Sequence, residues 1–422
     1  MKGDMLLTGG RIATGTDFLT GDILIRGSRI LAIGQDLPEE DAEVIHLDGE
    51  LVTQAFADIH VHFREPGFTA KETIATGSRA AARGGYSLVC AMPNLNPVPD
   101  SPETLALEQA AIDKDAVVTV LPYCSITKGR LGHELVDFHT LKDRCVAFSD
   151  DGSGVQEAGM MRRAMEAAAR EDVIIAAHCE DNTLLKGGYI HDGRYAAAHG
   201  HRGICSESEW GQIARDLKLA EETRCRYHVC HISARESVEL IRAAKARGVR
   251  VTCETAPHYL TLCEDDLREE GRFKMNPPLR SADDREALIE GLADGTIDAI
   301  ATDHAPHTAE EKSRGLEGSA MGIVGLETAF PVLYTGLVLP GRISLERLLE
   351  AMTAAPRRIF RLGGPLEAGA PADLTVIDLK QEFTIDSRTF ASMGKSTPFD
   401  GWTVLGKVVR TIKEGKTVYQ TT

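Results

Sequence analysis

The sequence of 422 residues lacks the features of a membrane or nucleic-acid-binding protein. No apolar run approaches the roughly eighteen residues of a transmembrane helix, and the opening stretch MKGDMLLTGGRIATG lacks a signal peptide's apolar core. Basic residues are in the minority, with 47 Lys and Arg against 63 Asp and Glu, and they form no cluster. The net charge of -16 disfavours a nucleic-acid partner, because phosphate backbones are bound by clustered Lys and Arg. These absences predict a cytoplasmic protein.

Paired cysteines are also lacking. The nine cysteines are an odd number without CxxC spacing, and several lie in apolar runs, such as Cys90, Cys124, Cys230 and Cys253. Cysteines of this kind are expected to be buried thiols in a reducing compartment. The missing CxxC spacing argues against a zinc site made of cysteines.

Two kinds of pattern divide the chain. Residues 1–53 and 365–422 consist of short strands and turns, which predicts one small β-domain built from both termini. Residues 54–364 alternate apolar strands with amphipathic helices eight times, which predicts an α/β fold, a (β/α)8 barrel of the TIM type, as the catalytic domain. An open doubly wound sheet is disfavoured, because no strand is followed by a GxGxxG or GxxxxGKS turn.

Polar side chains stand at the ends of the predicted strands, where the catalytic loops of such barrels open. A single histidine there is more simply explained as a hydrogen-bonded core residue. Side chains alternate between the two faces of a strand, however, so His60 and His62 lie on the same side of the first strand. A barrel also brings its strand ends together. The polar residues at the strand ends are His60, His62, Asn94, Asp150, Asp151, His178, His231, Glu254, His258, Asp303, His304 and His307.

Imidazoles and carboxylates that converge in this way predict a site for zinc or a similar divalent ion. Such an ion can turn water into a nucleophile near neutral pH. Asp303 could ligate the ion, accept a proton from the water, or do both in turn. His231 is preferred to His228 as a ligand, because His228 is expected to lie on the opposite face of its strand.

Several motifs, in this order along the chain, resemble those of the dihydroorotase family. They are DIHVHFREPG at 58–67, then MPNLNP, AHCEDN, HISARES, CETAPHYL, MNPPLR, ATDHAPHT and GLETAF. The resemblance covers essentially the whole chain and points to the bacterial class I branch of these amidohydrolases. It implies the reversible cyclisation of N-carbamoyl-L-aspartate to (S)-dihydroorotate and water, a step of de novo pyrimidine (UMP) synthesis, with a zinc-activated hydroxide acting in the hydrolytic direction.

The resemblance also implies a pair of zinc ions and their ligands. His60, His62 and Asp303 would hold one ion, with Asp303 as the catalytic acid and base, and His178 and His231 would hold the other. How tightly each ion is bound is left open.

The bridge between the two ions is where this chain departs from many relatives. They use a carboxylated lysine on strand four, but the corresponding segment here, CVAFSDDG, has no lysine at its end. A subset of class I enzymes resembles this chain in having an aspartate there. Asp151 is therefore the expected bridge, and Asp150 is the alternative.

Substrate contacts are likewise implied by the family. Arg64 is suited to a substrate carboxylate, since its planar guanidinium can pair with both oxygens. The loop TAEEKSRGLEGSA is expected to be a mobile cover. The implied substrate-binding residues are His62, Arg64, Asn94, Asn276, His307, Met321 and Gly322.

Two other functions compete with this interpretation. A hydantoinase or allantoinase shares the metal ligands but lacks the arginine after His-x-His. A catalytically inactive partner of aspartate transcarbamoylase would have lost ligands that this chain retains. A homodimer, and association of an active enzyme with the transcarbamoylase, are further expectations from the family.

Overall fold

Strands and helices alternate through the middle of the chain and strands dominate its ends in the computed structural model, which describes residues 4–15, 17–39 and 42–421. The strands are β1 (Met5–Thr14), β2 (Asp17–Arg26), β3 (Arg29–Gly34), β4 (Glu43–His46), β5 (Leu51–Gln54), β6 (Phe56–Val61), β7 (Tyr86–Ala91), β8 (Thr119–Pro122), β9 (Ile174–Ala177), β10 (Ile190–His191), β11 (Gly203–Ile204), β12 (Arg226–Val229), β13 (Val251–Thr255), β14 (Ala299–Ile300), β15 (Leu374–Thr384), β16 (Thr403–Lys413) and β17 (Lys416–Gln420). The helices are α1 (Ile74–Arg83), α2 (Pro102–Asp115), α3 (Phe138–Leu141), α4 (Ala158–Glu171), α5 (Arg194–His199), α6 (Glu207–Thr223), α7 (Arg235–Ala246), α8 (Pro257–Thr261), α9 (Ala282–Ala293), α10 (Ala309–Lys312), α11 (Gly315–Gly318), α12 (Ala329–Leu333), α13 (Leu345–Met352) and α14 (Ala354–Phe360).

Both ends of the chain contribute to one sheet. Its strands follow the order β17, β16, β15, β5, β1, β2, β3, with β4 paired to β1. The two ends meet where β15 runs antiparallel to β5, with Val376 opposite Val52. Ile12, Ile23 and Ile412 join these valines in a buried apolar cluster, so the hydrophobic effect holds the two ends together. The exact boundaries at 53/54 and 364/365 stay a prediction.

Parallel strands form the barrel. One group is β6, β7 and β8, and the other is β9, β12, β13 and β14. Phe148 joins the groups, because it makes a parallel bridge to Cys124 on one side and to Ile175 on the other. A bridge between Val61 and His304 closes the ring from the eighth strand to the first. The predicted fold class is confirmed, although the predicted fourth strand is reduced to the bridge at Phe148.

The helices bury one face against these strands. In α4 the buried residues include Met161, Ala164, Met165 and Ala168, which recur at the three- and four-residue spacing of a helix face. Burying a methionine side chain contributes about 1.5–3 kcal/mol, so such faces stabilise the barrel wall. Among the described residues, the structure has no helix that combines the length and the apolar character needed to cross a membrane.

Gly85 lies where the terminal sheet meets the barrel. Its φ is 93°, and a Cβ there would lie 2.8 Å from Thr375 Cγ2 and 2.9 Å from the ring of Phe56. Its carbonyl accepts a hydrogen bond from Phe56 N, and also one from the Thr375 hydroxyl. Glycine is needed here both for the left-handed backbone and for the close approach.

We predict that Gly85→Ala lowers the free energy of unfolding by about 2–5 kcal/mol, the sum of left-handed strain and overpacking. Gly248→Ala is the matched control, because Gly248 has φ 83° with nothing within 4 Å of its Cβ position. Its free energy of unfolding should fall by only about 1–2 kcal/mol, the cost of backbone strain alone. Urea unfolding measures both variants, and equal losses would show that the contact at Gly85 is unimportant.

Candidate metal centre and active site

The first barrel strand ends in two histidines, and each ring is hydrogen-bonded through its Nδ1. His60 Nδ1 lies 2.9 Å from Glu254 Oε1, and His62 Nδ1 lies 2.8 Å from Asn94 Oδ1. Both oxygens accept, so each ring donates from Nδ1 and presents Nε2 on its other side. There Asp303 Oδ1 lies 3.0 Å from His62 Nε2 and 3.6 Å from His60 Nε2.

A second pair of histidines lies beside the first. His178 Nδ1 is 3.0 Å from His231 Nε2, and the centroids of these rings are 4.8 Å apart. The His231 ring is 4.9 Å from that of His60. The histidines at or just beyond the ends of the first, fifth and sixth strands of the barrel therefore form one cluster.

Asp151 occupies the centre of this cluster. Its Oδ1 lies 3.3 Å from His60 Nε2, 3.5 Å from His231 Nε2 and 3.7 Å from His178 Nδ1. Its Oδ2 lies 3.6 Å from His62 Nε2. One carboxylate thus contacts imidazoles of both predicted ligand sets.

Asp150, the neighbouring aspartate, is directed elsewhere. Its Oδ1 accepts hydrogen bonds from the backbone of Ile126 at 2.8 Å and Thr127 at 3.1 Å. Its other oxygen accepts from the Thr127 hydroxyl. Asp150 therefore anchors the loop after β8, and both of its carboxylate oxygens already accept hydrogen bonds.

The electrostatics of the cluster call for a cation. Burial alone would raise the pKa of Asp303. When both rings carry a second proton on Nε2, the hydrogen bond from His62 and the charge of His60 lower that pKa well below its usual range. Burial opposes ionisation of Asp151 too, yet His60 lowers its pKa well below the ordinary value. Two ionised carboxylates buried this closely are costly unless positive charge lies between them.

The residues present fit a divalent metal ion. Ligand atoms of His60, His62 and Asp303 lie within 4.8 Å of one another, and so do those of His60, Asp151 and His231. Buried polar atoms normally have a partner, so atoms without one need an explanation. Metal coordination would supply that partner. Among the described residues, the buried atoms without a hydrogen bond include His60 Nε2, Asp151 Oδ1, His178 Nε2 and His231 Nδ1.

Three residues at the site have left-handed backbones although none is glycine. The φ angles are 62° for Arg64, 32° for His231 and 48° for Asp303. Such conformations cost about 1–3 kcal/mol each and persist where the surrounding structure enforces them. Their concentration here indicates that the fold turns these side chains into the cavity at the expense of stability.

A cavity of about 230 Å³ opens over the cluster. Arg64 Nε donates to the carbonyl of Pro306 at 3.3 Å, and its guanidinium lies 3.5 Å from His307 Nε2. The predicted substrate-binding residues all line this cavity: His62, Arg64, Asn94, Asn276, His307, Met321 and Gly322.

The wall around Arg64 is positively charged. Burial lowers the pKa of Arg64 to about 10, so its guanidinium stays protonated at neutral pH. Burial, helped by the charge of Arg64, lowers the pKa of His307 to about 4, so this imidazole is neutral. It can donate from Nε2 to the Met321 carbonyl, which is 2.9 Å away. The cavity thus combines a fixed cation with the His and Asp cluster.

Gly322 lets the backbone approach this wall. Its φ is 134°, and a Cβ there would lie 2.6 Å from the carbonyl oxygen of Ala305. Its N–H donates to the carbonyl of Lys274 at 3.1 Å. The predicted cover loop before it contains α10 and α11, and Lys312 Nζ donates to Lys274 and Ala320 carbonyls at 3.0 and 2.7 Å. Its mobility stays a prediction.

The structure corrects the expectation for His228. It does not face away from the site, because its Nε2 lies 3.2 Å from Glu254 Oε2, next to the oxygen that holds His60. The strand β12 ends at Val229 and His231 has a left-handed backbone, so alternation does not relate the two histidines. Glu254 stands at a strand end, and the sequence motifs assign it no role. A charged residue inside an apolar strand is the signal that it has one.

Comparisons with known proteins agree on the family. A family model described as dihydro-orotase-like matches residues 49–237. A dihydroorotase of Halalkalibacterium halodurans is 54% identical over 404 residues, which is 95% of this chain and 94% of that protein. A dihydroorotase of Shouchella clausii is 57% identical over 375 residues, 88% of each chain.

Solved structures share the fold. The L-hydantoinase (dihydropyrimidinase) of Arthrobacter aurescens superposes with a TM-score of 0.89 at 28% identity, over 99% of this chain and 96% of that one. The curated dihydroorotases are about twice as similar in sequence. The predicted family and enzyme class are confirmed, and this chain belongs to the dihydroorotase family of cyclic amide hydrolases.

Proposed function

We propose that the cavity at the carboxyl end of the barrel binds dihydroorotate and N-carbamoyl-L-aspartate and interconverts them, as a step of pyrimidine synthesis. The observation that carries this proposal is the buried guanidinium of Arg64 on the wall of the cavity that also contains Asp303. Dihydroorotate has both groups that such a cavity suits, a carboxylate and a ring amide.

We propose zinc as the metal and two ions as the number. Imidazole nitrogens and carboxylate oxygens are ligands that zinc accepts readily. The position of Asp151 between His62 on one side and His178 and His231 on the other supports a bridging role. Bound zinc would polarise the amide carbonyl and lower the pKa of the attacking water.

The residues of the chain then have distinct tasks. In hydrolysis a water oxygen bonds to the ring carbonyl carbon and the ring C–N bond breaks. Asp303 accepts the proton of the water and passes it to the leaving nitrogen, and cyclisation runs the same steps backwards. Arg64, Asn94, Asn276 and His307 bind the carboxylate. His62 and the backbone of Met321 and Gly322 contact the ring.

Hydantoinase activity is the second candidate, and the fold likeness to a hydantoinase favours it. Hydantoin rings need no carboxylate partner, so a buried arginine would have no function in their binding. An inactive structural protein is disfavoured by the complete set of candidate ligands.

We further propose a cytoplasmic homodimer that can associate with aspartate transcarbamoylase. Size-exclusion chromatography of the two proteins, alone and mixed, would test both assemblies.

Replacing Arg64 tests the substrate. Arg64→Met should lower kcat/KM for dihydroorotate roughly 10- to 100-fold, because a charged hydrogen bond contributes about 1.5–3 kcal/mol. Turnover of dihydrouracil, which lacks the carboxylate, should not fall. Arg202→Met is the control for general charge loss, since Arg202 is exposed and pairs with Glu317. An equal loss on both substrates would argue against a carboxylate contact.

Replacing Asp303 tests the proton transfer. Asp303→Asn should lower kcat for dihydroorotate by about 10²- to 10⁴-fold, because an amide cannot accept and return a proton. Steady-state kinetics at saturating zinc measures the loss. If the variant kept a nearly normal kcat, the proton would have to be accepted by a group other than Asp303.

Two adjacent aspartates allow a matched test of the bridge. Asp151→Asn should lower the zinc bound per folded chain, because a neutral amide would be a weaker ligand than the carboxylate proposed to hold both ions. Asp150→Asn should keep the zinc content, since its carboxylate bonds to Ile126 and Thr127. Elemental analysis after gel filtration measures both. Loss of zinc only in the Asp150 variant would reverse the assignment.

A further inference from the structure

We propose that Glu254 is a positioning residue that fixes the ring of His60, so that Nε2 is the nitrogen offered to the metal. This inference rests on the proposed metal site. Glu254 would touch neither the metal nor the substrate and would act through His60.

Glu254 joins two imidazoles deep in the barrel. Its Oε1 lies 2.9 Å from His60 Nδ1 and its Oε2 lies 3.2 Å from His228 Nε2. His228 Nδ1 in turn lies 2.8 Å from the Thr252 hydroxyl. Glu254 and His228 are 1% exposed and His60 is fully buried, so solvent does not compete for the two hydrogen bonds of Glu254. The chain from Thr252 to His60 is therefore a rigid support.

The chemistry of the carboxylate makes the support directional. An ionised carboxylate only accepts hydrogen bonds, so His60 must keep a proton on Nδ1. The lone pair that can bind a cation is then the one on Nε2, which lies 3.3 Å from Asp151 Oδ1. The negative charge also strengthens His60 as a ligand, as outer carboxylates do at other metal sites.

The two histidines of the first strand are supported differently. His62 Nδ1 meets the neutral amide oxygen of Asn94 at 2.8 Å, whereas His60 meets a charged group. Glutamine at position 254 would have one oxygen for one ring and would present an amide N–H₂ to the other. Only an acidic residue provides here both a negative charge and two oxygens that accept hydrogen bonds.

Zinc affinity tests the proposal. Metal-free protein is titrated with Zn²⁺ in competition with a chromophoric chelator, for wild type, E254Q and E254A. Both variants should bind zinc more weakly, within the roughly 10- to 100-fold range typical of lost outer partners, with E254Q the milder. E254Q nearly keeps the size of the side chain, so it separates lost charge from a packing defect.

E108Q is the matched control. Glu108 on α2 is also buried at 1% exposure, and its carboxylate oxygens have no hydrogen-bond partner among the described residues. E108Q should bind zinc like wild type, and urea unfolding of metal-free E254Q and E108Q checks that each variant is folded. Wild-type zinc affinity in E254Q and E254A would overturn the role of Glu254. Failure of the wild type to bind Zn²⁺ would instead overturn the proposed metal site.

Discussion

The central constraint in this structure is the burial of Asp151 and Asp303 among four imidazoles. Burying two carboxylates side by side is unfavourable, so the surrounding residues must supply positive charge and hydrogen bonds. The barrel provides them by directing the ends of its strands at one point. A divalent ion would complete the arrangement, because it would neutralise the carboxylates and engage the ring nitrogens that have no hydrogen-bond partner among the described residues.

The barrel holds this site through contacts below the cluster. Asp58 accepts hydrogen bonds from His60 N at 3.0 Å and from Thr302 N at 3.1 Å, so it ties the first strand to the eighth. Glu254 holds His60 from the seventh strand. Asp303, whose backbone is left-handed, follows Thr302 directly. Rigid support of this kind is what a site needs to hold its ligands in place before the substrate arrives.

Much of this could be predicted from the sequence. Alternation of strands and helices predicts the barrel. Strand-end positions predict that five side chains meet, and the structure brings them together: His60, His62, His178, His231 and Asp303. Periodicity failed where the chain leaves regular structure. His228 was assigned to the wrong side because β12 ends before His231, and the fourth strand is reduced to a bridge at Phe148. Left-handed backbones at non-glycine residues depend on tertiary contacts and leave no local pattern.

The proposed division of the cavity into metal ligands and a carboxylate-binding arginine would explain how one fold serves different cyclic amides. The hydantoinase fold is shared at a TM-score of 0.89, while Arg64 lies on the cavity wall beside the proposed metal ligands.

The most direct test of the proposed function is turnover of dihydroorotate and hydantoin by protein stripped of metal and then reloaded with zinc. Our account predicts that stripping abolishes turnover, that zinc restores it, and that dihydroorotate is the preferred substrate. Full activity without metal, or a preference for hydantoin, would contradict it.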